Sequence, residues 1–150
     1  MQKITPFLMF NDRAVEAMDF YTKLFPNSRT VATIPGPDGN VMGGSIEIDG
    51  TQVNIYNGGP QFNFTMGMSL MVNTDDQEET DRLYDGLSEG GKQLPCGWLE
   101  DKFGVSWQIT PKILMRLISD PDGEKAKRAT EAMLKMHKII IADLEAAAAG

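Results

Sequence analysis

The chain has 150 residues, of which 41% are hydrophobic and 23% charged, ordinary proportions for one globular domain with a full core. Its net charge is -7 and its pI about 4.6, so a nucleic-acid backbone or an anionic membrane surface would repel it. A single cysteine excludes an intrachain disulfide. With no apolar run near membrane-span length and no leader-like N-terminus, the sequence reads as a cytoplasmic protein without a membrane partner.

Ile4–Phe10 is short and apolar, a strand by pattern. Asn11-Asp12 then offers a helix cap, followed by Ala14, Val15, Met18, Tyr21 and Phe25 at helical spacing, with Pro26 as the stop. Arg29–Ile34 reads as a strand. Val41–Asp49 and Thr51–Asn57 read as a hairpin turning at Asp49-Gly50. Asn57-Gly58-Gly59-Pro60 punctuates the chain.

The same order then restarts. Met68–Asn73 is a strand, and Thr74 with Gln77 forms a capping box for a second helix. Leu83, Tyr84 and Leu87 give that helix its apolar stripe, and Gly90-Gly91 ends it. Residues 75–89 carry seven carboxylates against Arg82, the pattern of a solvated helix face. Further strands run through Gln108. Leu8-Met-Phe-Asn11 resembles Leu70-Met-Val-Asn73, and Gly50–Ile55 resembles Gly104–Ile109 at the same position in each half. These matches predict an internal repeat.

Strand alternation divides the side chains. Val53, Ile55, Trp107 and Ile109 should pack beneath helices, while Ser45, Glu47, Asn54, Tyr56, Ser106 and Gln108 face the other way. Two such sheets with polar inner faces would enclose a cleft suited to a small molecule. Pro111–Ile118 begins a helical tail. Asp120-Pro121 is read as the start of its next helix, with Ala126, Ala129, Met133 and Met136 as a stripe over the domain's own core or a partner chain.

Phe7–Phe10, Ala17–Tyr21, Asn57–Pro60, "CGWLEDKFGVSWQITP" at Cys96–Pro111 and the tail "EAMLKMHKIIIADLEAA" together resemble the PhnB-like family often labelled 3-demethylubiquinone-9 3-methyltransferase. That family belongs to the vicinal oxygen chelate superfamily, with glyoxalase I and bleomycin-resistance proteins. The resemblance implies an α+β fold of paired βαβββ modules forming a cupped mixed β-sheet (the glyoxalase-like fold), with a C-terminal helical tail. It assigns residues 1–57 to the first module, 66–110 to the second and 111–150 to the tail. It also implies a homodimer.

The superfamily's usual chemistry uses His and Glu side chains that hold a divalent cation. Carried onto this chain, the ligand positions fall near Pro6, near Gly67 and at Gln108, whose repeat-mate is Asn54. Gly43-Gly44-Ser45 stands where some PhnB-like chains have His-Ala-Glu. Amide oxygens are poor ligands for Zn²⁺ or Fe²⁺, and the lone His137 is expected in the tail helix, far along the chain from these strands. No metal and no cofactor are therefore expected. A methyltransferase of the usual kind would want a Gly-rich strand-to-helix turn, and neither Gly43-Gly44 nor Gly58-Gly59 precedes a helix.

The leading expectation is a small-molecule-binding protein with no assigned catalytic residue. Its cleft would use Asn54, Gln108 and Ser45 for hydrogen bonding, Tyr56 and Trp98 as flat walls, and Glu47 as a carboxylate. The alternative is a lyase, isomerase or dioxygenase-type enzyme with a weakly held metal, with Glu47 as base, or with Cys96 as a reactive thiol near Lys92 and Lys102. Asp101–Gly104 reads as a turn, which makes Asp101 structural.

Overall fold

The computed structural model describes residues 2–150. Backbone contacts divide the chain into two units, Met1–Asn63 and Phe64–Gly150. In the first, β1 (Phe7–Phe10), α1 (Ala14–Leu24), β2 (Arg29–Pro35), β3 (Val41–Ile48) and β4 (Thr51–Asn57) make a four-stranded open sheet of order β1-β4-β3-β2. In the second, β5 (Leu70–Thr74), α2 (Gln77–Ser88), β6 (Lys92–Gln93), β7 (Trp98–Glu100) and β8 (Ser106–Pro111) repeat that order as β5-β8-β7-β6. In each sheet the first strand runs parallel to the last and the other pairs are antiparallel. A helical crossover between parallel neighbours is what such pairing requires. The class is α+β with paired βαβββ units.

The hairpin expected at Asp49-Gly50 is present. Both residues have positive φ, 44° and 87°, as a two-residue type I′ turn needs. It sets Ile46 opposite Val53 and Ser45 opposite Asn54. Helix α1 lays Ala14, Ala17, Met18 and Tyr21 on its sheet, and all four are buried beside Val53 and Ile55. Val15, expected on the stripe, is exposed instead, because it falls one position off the buried face. In the second unit Leu83, Tyr84 and Leu87 of α2 are buried with Leu99, Trp107 and Ile109.

The structure relocates three helix caps. No side chain of Asn11 or Asp12 caps α1. Asn57, at the end of β4, supplies the acceptor, and its Oδ1 takes the Ala14 N–H at 2.8 Å. For α2 the cap is Asp76, which accepts from Glu79 N at 2.8 Å, while Glu79 Oε1 accepts from Asp75 N at 3.1 Å. Thr74 ends β5 and is buried, its hydroxyl 2.6 Å from that of Thr80. In the tail, α4 (Gly123–Leu134) is capped by Asp122, and Asp120 makes the turn before it.

The tail also contains α3 (Lys112–Ile118) and α5 (Ile141–Ala149). Leu114, Ile139 and Leu144 form a small core of their own, with Ala132, Met133 and Met136 packed against it. The Met-bearing stripe is thus used within the tail. The Gln77 side chain fastens the tail to α2, donating to Ile139 O at 3.0 Å and accepting from Ile141 N at 2.8 Å. Lys138 reaches Asp85 at 2.8 Å and Asp81 at 3.3 Å. Burial of Lys138 works against its charge, but the two carboxylates outweigh it and hold the ammonium above its usual pKa. Among the described residues, no helix is long and apolar enough to cross a membrane.

Candidate functional site

Strand register places the expected site residues in rows. In the first sheet Phe7, Asn54 and Ser45 are neighbours across β1, β4 and β3, and Met9, Tyr56 and Gly43 form the next row. These side chains lie on the face opposite Leu8, Val53 and Ile55, which are buried toward α1. Ser45 Oγ donates to Asn54 Oδ1 at 2.7 Å, and Gln52 Nε2 donates to the same oxygen at 3.4 Å. The amide nitrogen of Asn54 has no acceptor among the described residues. Glu47 lies on the same face, but its carboxylate is engaged by Arg29 at 3.1 Å. Phe7 is 52% exposed beside Asn54, a large apolar surface on a sheet face.

The second sheet repeats the arrangement with other side chains. Met71, Gln108 and Trp98 form one row across β5, β8 and β7. Gln108 Nε2 donates to Ser69 Oγ at 2.9 Å, which leaves its carbonyl oxygen for another donor. Trp98 is half-buried on this face, while Trp107 is buried beneath α2. The two tryptophans thus have different roles. Ser106 and Glu100 occupy the next row, with Lys92 at the sheet edge. Glu100 is the counterpart of Glu47 and Lys92 that of Arg29. The repeat made this carboxylate findable, but it was not among the expected site residues.

Asp101 is structural, as its turn predicts. The carboxylate is 2% exposed, and Oδ1 accepts from Phe103 N at 2.9 Å and Val105 N at 3.0 Å. Its Oδ2 accepts from Trp107 Nε1 at 2.9 Å. Cys96 sits in a 3-10 turn, Pro95–Gly97, in the left-handed region at φ 64°. Its N–H donates to Met136 O at 2.8 Å and that of Gly97 to His137 O at 2.7 Å, so the tail pins this turn. Lys92 stands opposite Glu100, and the Lys102 ammonium lies 5.5 Å from the Phe103 ring centre. The Cys96 thiol has no hydrogen-bond partner among the described residues. His137 is exposed in the bend between α4 and α5, not in a helix as its sequence neighbours suggested.

The donor set does not fit the superfamily's cation. Among the described residues no three His, Cys, Asp or Glu side chains come together as a metal site. The Gly43 position also resists a ligand side chain, since a Cβ there would lie 2.1 Å from Ile55 O. Nor do the residues make a glycine-rich nucleotide turn: β1 enters α1 through Asn11-Asp12-Arg13 and β5 enters α2 through Asp75-Asp76. An open groove of about 640 Å³ lies elsewhere, where Asp75, Lys112, Arg116 and Glu145 meet the start of α5. None of the expected site residues lines it, and Lys112 there pairs with Asp75.

Two βαβββ units of matching strand order, each with a helix on one face and polar side chains on the other, define the glyoxalase-like fold of the vicinal oxygen chelate superfamily. Residues 2–110 match the family described as 3-demethylubiquinone-9 3-methyltransferase, and the chain belongs to that PhnB-like family. It is similar to the PhnB protein of Bacillus cereus, which carries the same methyltransferase description, at 35% identity. That match covers 73% of this chain and 99% of the other, with a TM-score of 0.66. Protein PA1353 of Pseudomonas aeruginosa is similar at 24% identity, over 74% of this chain and 98% of its own, with a TM-score of 0.59. The fosfomycin resistance protein FosX of Listeria monocytogenes, solved with Mn(II) and sulfate, shares the fold at 16% identity. It aligns over 78% of this chain and 99% of its own with a TM-score of 0.54. No curated protein matches the chain.

Proposed function

We propose that the protein binds a small organic molecule on the polar faces of its sheets, without the superfamily's metal centre, and that it does so as a homodimer. The observation that carries this reading is the pair of amide rows. Asn54 and Gln108 hold equivalent positions, and each has one half of its amide engaged by a neighbour and the other half open. Phe7 and Tyr56 on one sheet and Met71 and Trp98 on the other add apolar area beside those amides. Such a face suits a ligand held by a few oriented hydrogen bonds and flat contacts. Amides at the ligand positions argue against a tightly held transition metal. Residual methyltransferase activity, the family's description, finds no support in the strand-to-helix turns.

A thermal-shift screen of small metabolites against the wild type and the Asn54→Ala, Gln108→Ala double variant tests the reading. Compounds that stabilise the wild type and lose about tenfold or more in affinity in the double variant support it, since each lost hydrogen bond is worth ~0.5–1.5 kcal/mol. A screen with no stabilising compound, or hits indifferent to both substitutions, overturns it. Stoichiometric Zn²⁺, Fe²⁺ or Mn²⁺ in chelator-free protein would sink the metal-free part. A monomer by light scattering would sink the dimer.

A further inference from the structure

We propose that the outward face of the second sheet carries a subsite for an organic ammonium group, built from Trp98, Gln108 and Glu100. This rests on the small-molecule reading above and names the chemical class. The argument begins with the repeat. Glu47 and Glu100 occupy the same place in their sheets: Glu47 stands between Arg29 and Gln52, and Glu100 between Lys92 and Ser106. In the first sheet the charge is neutralised, with Arg29 on Glu47 at 3.1 Å. In the second, no ion pair joins Lys92 to Glu100 among the described residues, and no other cation takes Glu100. The same row therefore holds a half-buried carboxylate in both sheets, ion-paired in the first and without an ion-pair partner among the described residues in the second.

The neighbours of Glu100 are suited to a cation. Trp98 lies two residues before it on β7, on the same face and about 7 Å away along the strand. Its ring face is the side-chain surface that best attracts an ammonium group. Gln108 is the cross-strand neighbour of Trp98, and Ser69 orients its amide so that the carbonyl oxygen is left to accept. Met71, on the far side of Gln108, is 47% exposed and adds a polarisable thioether. An anion would face Glu100 and a protein of net charge -7. A small, hard metal ion would lack ligands, since one carboxylate and an amide do not replace its hydration shell. A weakly hydrated organic ammonium gains from the ring, the carbonyl and the carboxylate together.

The experiment titrates choline and its uncharged carbon isostere, dimethylbutanol, into the full chain and follows the two indole N–H resonances by NMR. Choline should move the Trp98 resonance, leave that of buried Trp107 in place, and bind more tightly than dimethylbutanol. Trp98→Leu should weaken choline about two- to thirtyfold, the range of a cation–π contact. Glu100→Gln, which keeps the side chain's shape, should weaken it about two- to fivefold and reduce its salt dependence. Equal binding of the two compounds overturns the ammonium class while leaving the small-molecule reading in force. Choline binding indifferent to both substitutions, or an unmoved Trp98 resonance at saturation, also overturns it. The metabolite screen above decides the broader reading separately.

Discussion

Replacing Asp101 by Asn tests whether one carboxylate organises the end of the second sheet. Three donors converge on it: two backbone N–H groups on Oδ1 and the Trp107 indole on Oδ2, all within 3.0 Å. Asn presents one oxygen and one NH₂ in the same volume. With the oxygen toward the backbone pair, the NH₂ faces the indole N–H, and the buried indole loses its acceptor. The reverse orientation strands two N–H groups. The cheaper arrangement forfeits one charge-assisted bond, ~1.5–3 kcal/mol, and leaves a buried donor unsatisfied, ~1–3 kcal/mol. Burying an amide costs less than burying a carboxylate, which offsets part of this. The net expectation is a loss of ~2–4 kcal/mol, a large share of the ~5–15 kcal/mol that folded domains command. Urea unfolding followed by tryptophan fluorescence measures it directly, with Trp107→Phe completing a double-mutant cycle. A coupling of ~1–3 kcal/mol is expected for residues in such contact. An Asp101→Asn loss under ~1 kcal/mol, or zero coupling, refutes the account of Asp101 as the organising group.

Two further changes probe the units separately. Asn57→Ala removes the acceptor for Ala14 N–H and should cost ~1 kcal/mol in urea unfolding, whereas Asn57→Asp should retain the cap. Equal losses in both would show that Asn57 acts otherwise. Tyr84 is fully buried with its hydroxyl 2.9 Å from Leu94 O and 3.0 Å from Trp98 O. Burial, with repulsion from Asp85, pushes its pKa up from 10.0 to about 12. The folded state thus favours the neutral phenol. Its contribution is fully present below pH 10.0 and is lost as pH rises toward 12, at most ~2–3 kcal/mol. The wild type should lose more stability across that window than Tyr84→Phe. Parallel pH profiles for the two proteins would contradict this.

The backbone plan was readable in the sequence because it rests on local signals. Asp49-Gly50 dictates its hairpin, and alternation assigned Val53, Ile55, Trp107 and Ile109 to the helix-covered faces correctly. The caps were less readable. Asn57 lies 43 residues from the N–H it accepts, so no local pattern around Asn11 reveals it. Thr74 and Gln77 have capping chemistry, but burial against Thr80 and bonding to the tail claim them, and Asp76 takes the role. The repeat was correct in order and wrong in detail at its first strands. The ladders pair Leu8 with Ile55 but Val72 with Ile109, so Leu8 corresponds to Val72, two residues beyond its sequence match at Leu70. A shift of two preserves every side chain's face, which is why the facing assignments survived it.

That alignment makes each unit a control for the other. The helix-facing rows have kept their chemistry: Val53 and Ile55 correspond to Trp107 and Ile109, and all four are buried. The outward rows have not. Ser45 has become Trp98, so the neighbour of the conserved amide changes from a hydroxyl that donates to Asn54 into an indole that leaves Gln108 to Ser69. Arg29 has become Lys92, and the ion pair with the adjacent carboxylate is gone. A core position must stay apolar and be packed by its own neighbours, whereas an outward position is free to change in polarity and charge unless something binds there. The first sheet pairs its outward carboxylate with Arg29 and occupies the Asn54 carbonyl oxygen, leaving the Asn54 NH₂ open. The second leaves a carboxylate and a carbonyl open beside an aromatic ring, and that asymmetry is what the proposed ammonium subsite on β7 and β8 rests on.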